Sequence, residues 1–216
     1  AHGLNATYED VQPGMSVAYG VARTSELTLF PAGEVPTKAA MVAMARAGEG
    51  RPLLVASPTY LHSTGVFGVG SLPDRSTPLK KTVEDKLDSV LAFYQQQVDE
   101  RHWYGFWTFG DYIHSYNNAQ HVWYYDWGGH AWQNTELGVP LWVWTSFLRT
   151  GRGDVFRMAE AQTRNTSETN VYHIGPMQGL GSRHNVVKWG DGAKEARVSQ
   201  AAHWRPYYYL TTDERT

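Results

Sequence analysis

Three segments of this chain gather most of its polar aromatic, amide and ionisable side chains. The first is Trp103-Tyr104-Gly105-Phe106-Trp107, continuing through Gly110-Asp111-Tyr112 to His114. The second is Tyr124-Tyr125-Asp126-Trp127-Gly128-Gly129-His130, continuing through Trp132 and Asn134 to Glu136. The third runs from His173 through Gly181-Ser182-Arg183-His184-Asn185 to Trp189-Gly190-Asp191. Interleaved glycines let backbone approach a ligand closely, and loops of this kind carry function more often than core elements do. Turns closed by Asp and Asn would account for any one of these residues equally well.

Arg, His, Tyr and Asn together suit elimination from a uronic acid. A cation or amide neutralises the carboxylate, so that the C5 proton becomes acidic. A base removes that proton, and an acid protonates the departing oxygen. Arg183 supplies the forked permanent cation, with Asn134 as its assistant. His184 or Tyr125 serves as base, and His173 and His114 are reserves for protonating the leaving group. Trp107, Asp111, Trp127, His130, Trp189 and Asp191 form the expected substrate-binding set, because flat aromatic faces and carboxylates suit sugar rings. Two other readings stay open. Asp111, Asp126, Glu136 and Asp191 could pair as the two carboxylates of a glycoside hydrolase, or the aromatics could bind glycan without turnover. His114, His121, His130, His173 and His184 match no standard ligand spacing, so neither metal nor other cofactor is expected. HExxH, Walker and Gly-x-Ser-x-Gly motifs are absent.

Composition narrows the class further. The 216 residues are 42% hydrophobic and 19% charged, which excludes a disordered or charge-driven chain. Lys+Arg 19 against Asp+Glu 21 gives a net charge of −2, so there is no basic excess for nucleic acid. No run of about 20 apolar residues could span a membrane. Trp 9 and Tyr 13 are high, and most of them are expected in the core. Cys 0 excludes disulfides and thiol chemistry. Sequons at Asn5-Ala6-Thr7 and Asn165-Thr166-Ser167 raise the expectation of a secreted glycoprotein. The opening Ala1-His2-Gly3 is that of a mature chain or an excised piece.

These segments need elements to hold them. Val21 to Phe30 alternates enough to predict a strand. Thr37 to Ala47 reads as a helix closed by Gly48, and 49–76 as a connecting stretch with short extended pieces. Thr77-Pro78 is a cap with proline in the first turn, and the stripe Leu79, Val83, Leu87, Val90, Leu91, Tyr94, Val98 predicts a helix to about Glu100. A second helix is predicted from about Trp132 to Thr150, disturbed near Gly138 and Pro140. A third runs from Val155 to Arg164 behind Asp154. Val171 to Asp191 reads as a loop, and Ala193 to Leu210 as a fourth helix shortened or kinked by Pro206. Asp213 looks like the cap of a helix beyond the chain. Helix, loop, helix with functional residues in alternate loops is the pattern of α-hairpins arranged around one cleft. The loops bearing Trp107, Tyr125, Trp127 and Trp189 should therefore share one end.

A set of longer motifs carries a family likeness. It comprises Trp103 to Asp111; Tyr125-Asp126-Trp127-Gly128-Gly129-His130-Ala131-Trp132-Gln133-Asn134-Thr135-Glu136-Leu137; Ser146-Phe147-Leu148-Arg149-Thr150-Gly151-Arg152; Phe156-Arg157-Met158-Ala159-Glu160-Ala161; and Gly181 to Val186 with Trp189-Gly190-Asp191. In this order, over roughly residues 15–216, they resemble the exo-rhamnogalacturonan lyase family of polysaccharide lyases. The resemblance implies a large secreted enzyme in which a β-sandwich region precedes a helical (α/α) toroid. It implies exo-acting cleavage of rhamnogalacturonan by β-elimination, with another uronate-containing glycan still open. The expected fold is mainly α: residues 1–35 end a β-sandwich-like region, 36–76 connect, and 77–216 form part of an (α/α) toroid. The expected partners are a polysaccharide and the remainder of a longer polypeptide, with neither nucleic acid nor membrane involved. Four helices are too few to close a ring.

Overall fold

The computed structural model describes residues 17–50, 52–68, 70–113, 116–117, 119–123, 132–183, 189–190 and 192–216. Six helices dominate them, beside two short antiparallel pairs, β1 (Tyr116–Asn117) with β2 (Val122–Trp123) and β3 (Gly181–Ser182) with β4 (Lys194–Glu195). The first three start on hydroxyl caps, in which a side-chain oxygen accepts an otherwise orphaned N–H of the first turn. Thr37 caps α1 (Lys38–Glu49), Ser57 caps α2 (Pro58–Thr64) and Thr77 caps α3 (Pro78–Arg101). In α2 and α3 a first-turn proline adds a preset φ at a position that needs no N–H. α4 (Val139–Thr150) and α5 (Gly153–Glu168) form a tight hairpin through Gly151, and α6 is Arg205–Thr211.

Two apolar clusters hold these helices together. Leu91 of α3, Val143, Trp144 and Phe147 of α4, Val155, Phe156 and Ala159 of α5, and Tyr207 of α6 form the larger one. Trp144 lies at its centre, with ring centroids 6.0 Å from Phe147, 5.5 Å from Phe156 and 5.8 Å from Tyr207. Its indole N–H donates to Thr163 Oγ1 at 2.8 Å, so the one polar atom of this buried ring is satisfied. Each such side chain contributes about 1.5–3 kcal/mol by leaving water. Trp103, Tyr112 and Ile113 form the smaller cluster against Phe93, Tyr94 and Val98. Its three buried members belong to the first aromatic segment itself, which is thereby fixed against α3.

Several elements differ from their sequence pattern. Val21 to Phe30 is not a strand: Val21 makes a single antiparallel bridge to Tyr172, and Leu27 and Leu29 are 87% and 85% exposed. Alternation alone forms no strand without a sheet to join. Residues 49–76 contain α2, whose Ser57-Pro58 start is the same signal as Thr77-Pro78. Residues 132–138 are a bridge and turns, and Pro140 begins α4 instead of disturbing it. α5 runs a turn past Arg164, to Glu168. The span expected as a fourth helix splits into strand β4 (Lys194–Glu195), two 3₁₀ turns (Ala196–Ser199, Ala201–His203) and α6, with Pro206 in the first turn of α6 and no kink. β4 pairs with β3 (Gly181–Ser182) inside the expected 171–191 loop. Along α3, Leu91 is buried as the stripe predicts, whereas Leu79 and Val83 are exposed.

The segment 17–24 is stitched to the end of α5 by backbone. Ala22 N–H donates to Glu168 O (3.2 Å), and His173 N–H donates to Gly20 O (2.6 Å). Thr24 N–H donates to Glu168 Oε2 (2.7 Å), Arg164 Nη2 to Thr24 O (3.2 Å), and the Tyr172 hydroxyl to Val17 O (2.9 Å).

Candidate functional site

The last turns of α5 are polar yet buried: Asn165, Thr166, Ser167, Glu168, Thr169 and Asn170 are all nearly inaccessible. Helix C-termini leave carbonyls without intrahelical partners, and these are filled by distant segments. Trp189 Nε1 donates to Thr169 O at 2.7 Å, and the Nε2 of His173 lies 3.0 Å from Glu168 O. Asn165 Nδ2 donates to Trp107 O (3.0 Å), and Asn170 Nδ2 to Asn165 Oδ1 (3.0 Å). Ser182 N–H donates to Asn170 O (2.9 Å).

The network continues into the second and third segments. Asn134 Nδ2 donates to Ser182 O at 2.7 Å and to Arg183 O at 3.1 Å. Asp111 Oδ1 accepts the backbone N–H of Asn134 (3.0 Å) and of Tyr112 (2.9 Å). Trp107, His173 and Trp189 are thereby joined directly to one helix end, Asn134 and Arg183 through Ser182, and Asp111 through Asn134.

Above this floor stand exposed rings. Trp107 is 42% exposed and meets Trp189 edge to face, with centroids 5.5 Å apart at 79°. Phe106 packs on Trp107 at 4.7 Å and 86°. The guanidinium of Arg23 lies 3.8 Å from the Phe109 ring centroid and 5.1 Å from that of Phe106, and burial lowers its pKa. Lys194 Nζ donates to Trp189 O (2.9 Å) and Ser182 Oγ (3.2 Å) and lies over the Tyr172 ring. Burial pushes the Tyr172 phenol up to about 12 and the Tyr112 phenol higher still, with Asp111 adding to the latter, so neither suits a base near neutral pH.

Two expected ligand contacts are thus relocated. Asp111 and Asn134 are fully buried, with backbone groups as partners, so they stand behind the surface and not on it. The hydrolase pairing loses support for the same reason: Asp111 is inaccessible, and Glu136 is bound by Arg197 Nη2 at 2.6 Å with its side chain 10% exposed. Asn165, read as a sequon, is 0% exposed with its amide engaged at both ends. His114, Tyr125, Asp126, Trp127, His130, His184, Asp191 and Asn5 lie outside the described residues. Among the described residues no three His, Asp or Glu side chains converge as metal ligands, and no helix is long and apolar enough to cross a membrane. Sequence reasoning missed Arg23, Thr169, Asn170 and Lys194, whose partners are distant and mostly backbone.

Comparison with known proteins matches the two parts of the chain separately. Residues 51–216 match the family described as the PcRGLX-like protein C-terminal alpha/alpha toroid domain. Residues 1–46 match the PcRGLX-like protein central beta sandwich domain. A curated relative, the uncharacterized protein YetA of Bacillus subtilis (strain 168), is 47% identical over 211 residues. That alignment covers 98% of this chain and 25% of the relative, so the chain spans about a quarter of the relative's length.

Proposed function

The chain belongs to the PcRGLX-like protein family, which is rhamnogalacturonan-lyase-like, and from this we propose that it contributes the glycan site of a secreted polysaccharide lyase acting on rhamnogalacturonan or a related uronate-containing chain. The observation that carries the reading is the Trp107–Trp189 pair, set on the same α5 end that holds the Arg183 loop. An exposed Trp107 face, backed by the half-buried Trp189, together with a forked cation on the Arg183 loop suits an acidic sugar: the ring stacks and the carboxylate pairs.

In this reading Arg183 neutralises the galacturonate carboxylate, and the C5 proton passes to His184 or Tyr125. The C5–H electron pair becomes the C4=C5 bond as the C4–O bond breaks. The departing oxygen takes a proton from an acid, for which His173 and His114 are the candidates. His173 is exposed and tethered through Glu168 O, which leaves Nδ1 as the ring atom for exchange. Attack from a chain end would make the enzyme exo-acting.

The test uses the full-length protein and rhamnogalacturonan oligosaccharides. Elimination gives ultraviolet absorbance from the unsaturated uronate in step with new reducing ends. Reducing ends without that absorbance would indicate hydrolysis, and binding with neither would indicate a non-catalytic module.

A further inference from the structure

Asn134 carries two energetic costs at one position. Its φ of 55° is in the left-handed region, which Asn adopts more readily than most residues but not freely. Its Oδ1 is buried with no hydrogen-bond partner among the described residues, although a buried acceptor ordinarily has one. Costs of this kind, held in place by the surroundings, are found where a geometry is being enforced. The surroundings here are explicit. Asp111 Oδ1 holds the Asn134 N–H at 3.0 Å, and Tyr112 O accepts the preceding N–H, of Gln133, at 2.9 Å.

So fixed, the amide points both of its hydrogens at consecutive carbonyls, Ser182 O at 2.7 Å and Arg183 O at 3.1 Å. Two carbonyls converging on one amide fix the peptide planes on either side of Arg183. That in turn sets the direction in which its side chain leaves the backbone. We infer that Asn134, backed by Asp111, is a positioning residue that aims Arg183 at the substrate carboxylate. The inference rests on the proposed lyase reading and deepens it: recognition of the uronate is built from a buried amide as well as the cation it aims.

The experiment compares the full-length wild type with Arg183→Ala, Asn134→Gly and Thr163→Val. The substrates are a rhamnogalacturonan oligosaccharide and the same oligosaccharide with its galacturonates methyl-esterified. Asn134→Gly keeps the left-handed backbone accessible while removing the clamp. Thr163→Val removes a different buried bond, the one from Trp144 Nε1, with no link to Arg183. Asn134→Gly should lower kcat/KM on the free acid by about 100-fold, the scale of a misplaced group in a site. It should change the ester much less, so that the acid preference collapses as it does in Arg183→Ala. Thr163→Val should lose stability and keep the preference. If Arg183→Ala collapses the preference and Asn134→Gly does not, the inference is overturned and the lyase reading stands. If the wild type shows no acid preference, or Arg183→Ala retains it, the assignment of Arg183 to the carboxylate fails and the inference is overturned with it, while the lyase reading itself fails only if the wild type releases reducing ends without the unsaturated-uronate absorbance. Should Asn134→Gly fail to fold, Asn134→Asp keeps the side-chain shape, replaces the donor by an acceptor facing both carbonyls, and is judged by the same ratio.

Discussion

A methyl group added at Gly110 would meet α5 head on. Gly110 has φ 76°, and an ideal Cβ there would fall within contact distance of the Ala161 carbonyl and 2.7 Å from Gln162 N. These are backbone atoms of a helix interior, which cannot swing aside as a side chain would. Gly110→Ala therefore combines two costs: about 1–2 kcal/mol for an alanine in the left-handed region and about 1–3 kcal/mol for overpacking. The total is about 2–5 kcal/mol. Gly179 separates the two, because its φ of 82° is similar and nothing lies within 4 Å of its Cβ position. Gly179→Ala should cost only the conformational part. Urea denaturation should resolve the difference. In a thermal melt each kcal/mol is worth roughly 2–4 °C at this chain length. Trp107 lies in the same turn, so intrinsic tryptophan fluorescence should change in Gly110→Ala and not in Gly179→Ala. Equal losses in the two variants would refute the close-approach argument, and no loss in either would also refute the conformational one.

Three other outcomes are expected. On the proposed lyase reading, Arg183→Ala in the full-length protein should cut turnover by about 10²–10³-fold, the effect of removing one electrostatic stabiliser, with an unchanged circular dichroism spectrum; near-normal elimination would move the site elsewhere. Stability should fall in two steps on acidification, followed by urea midpoints from pH 8 to about pH 2. Burial lowers the His203 pKa below 6.5, so the unfolded chain binds the proton first, and that contribution is present above about 6.5 and lost as pH falls through it. Asp154 and Asp213, held at about 2 by hydrogen bonds from Arg152 and Arg215, add stability that is present above the unfolded 3.8 and lost toward pH 2. A flat midpoint between pH 7 and pH 5, or an undiminished first step in His203→Gln, would contradict this. Peptide mass spectrometry after expression in a glycosylating host should find Asn165 unmodified, since its amide is fully buried; a glycan there would overturn the packing of α5.

What the sequence made legible was local. Thr37 and Thr77 announce their helices because a cap and its acceptor bond lie within three residues of each other. Ser57-Pro58 sends the same message but is followed by only seven helical residues before Gly65, too few to show a stripe. Residues 194–203 look α-helical by composition but form a strand and two 3₁₀ turns. Gly181 lets Val198 approach its backbone, and β3 captures Lys194–Glu195 as a partner. The site divides along the same line. Trp107, Arg183 and Trp189 are visible as aromatic and charged residues among glycines. Asp111 and Asn134 are visible too, but residue type does not encode depth, and both lie a layer further in than their chemistry suggested. Asn165, Thr169, Asn170 and Lys194 act mainly on carbonyls and amides of other segments, and no spacing rule reports such a partner.

The stitching of residues 17–24 onto α5 has a consequence for how this protein can be divided. By likeness the boundary falls between residues 46 and 51, where the sandwich match ends and the toroid match begins. By hydrogen bonding it falls earlier, because Gly20, Ala22 and Thr24 complete the helix end on which Trp107 and Trp189 are anchored. A toroid excised at the likeness boundary would lose the Ala22 N–H from Glu168 O, keeping only His173 there, and the bridge to Tyr172, while keeping every residue of its own hairpins. Recombination between relatives faces the same condition. Residues 17–24 lie inside the sandwich match yet bond to the toroid match, and a swap that mismatches the two would loosen the anchorage of Trp107 and Trp189 without touching either ring.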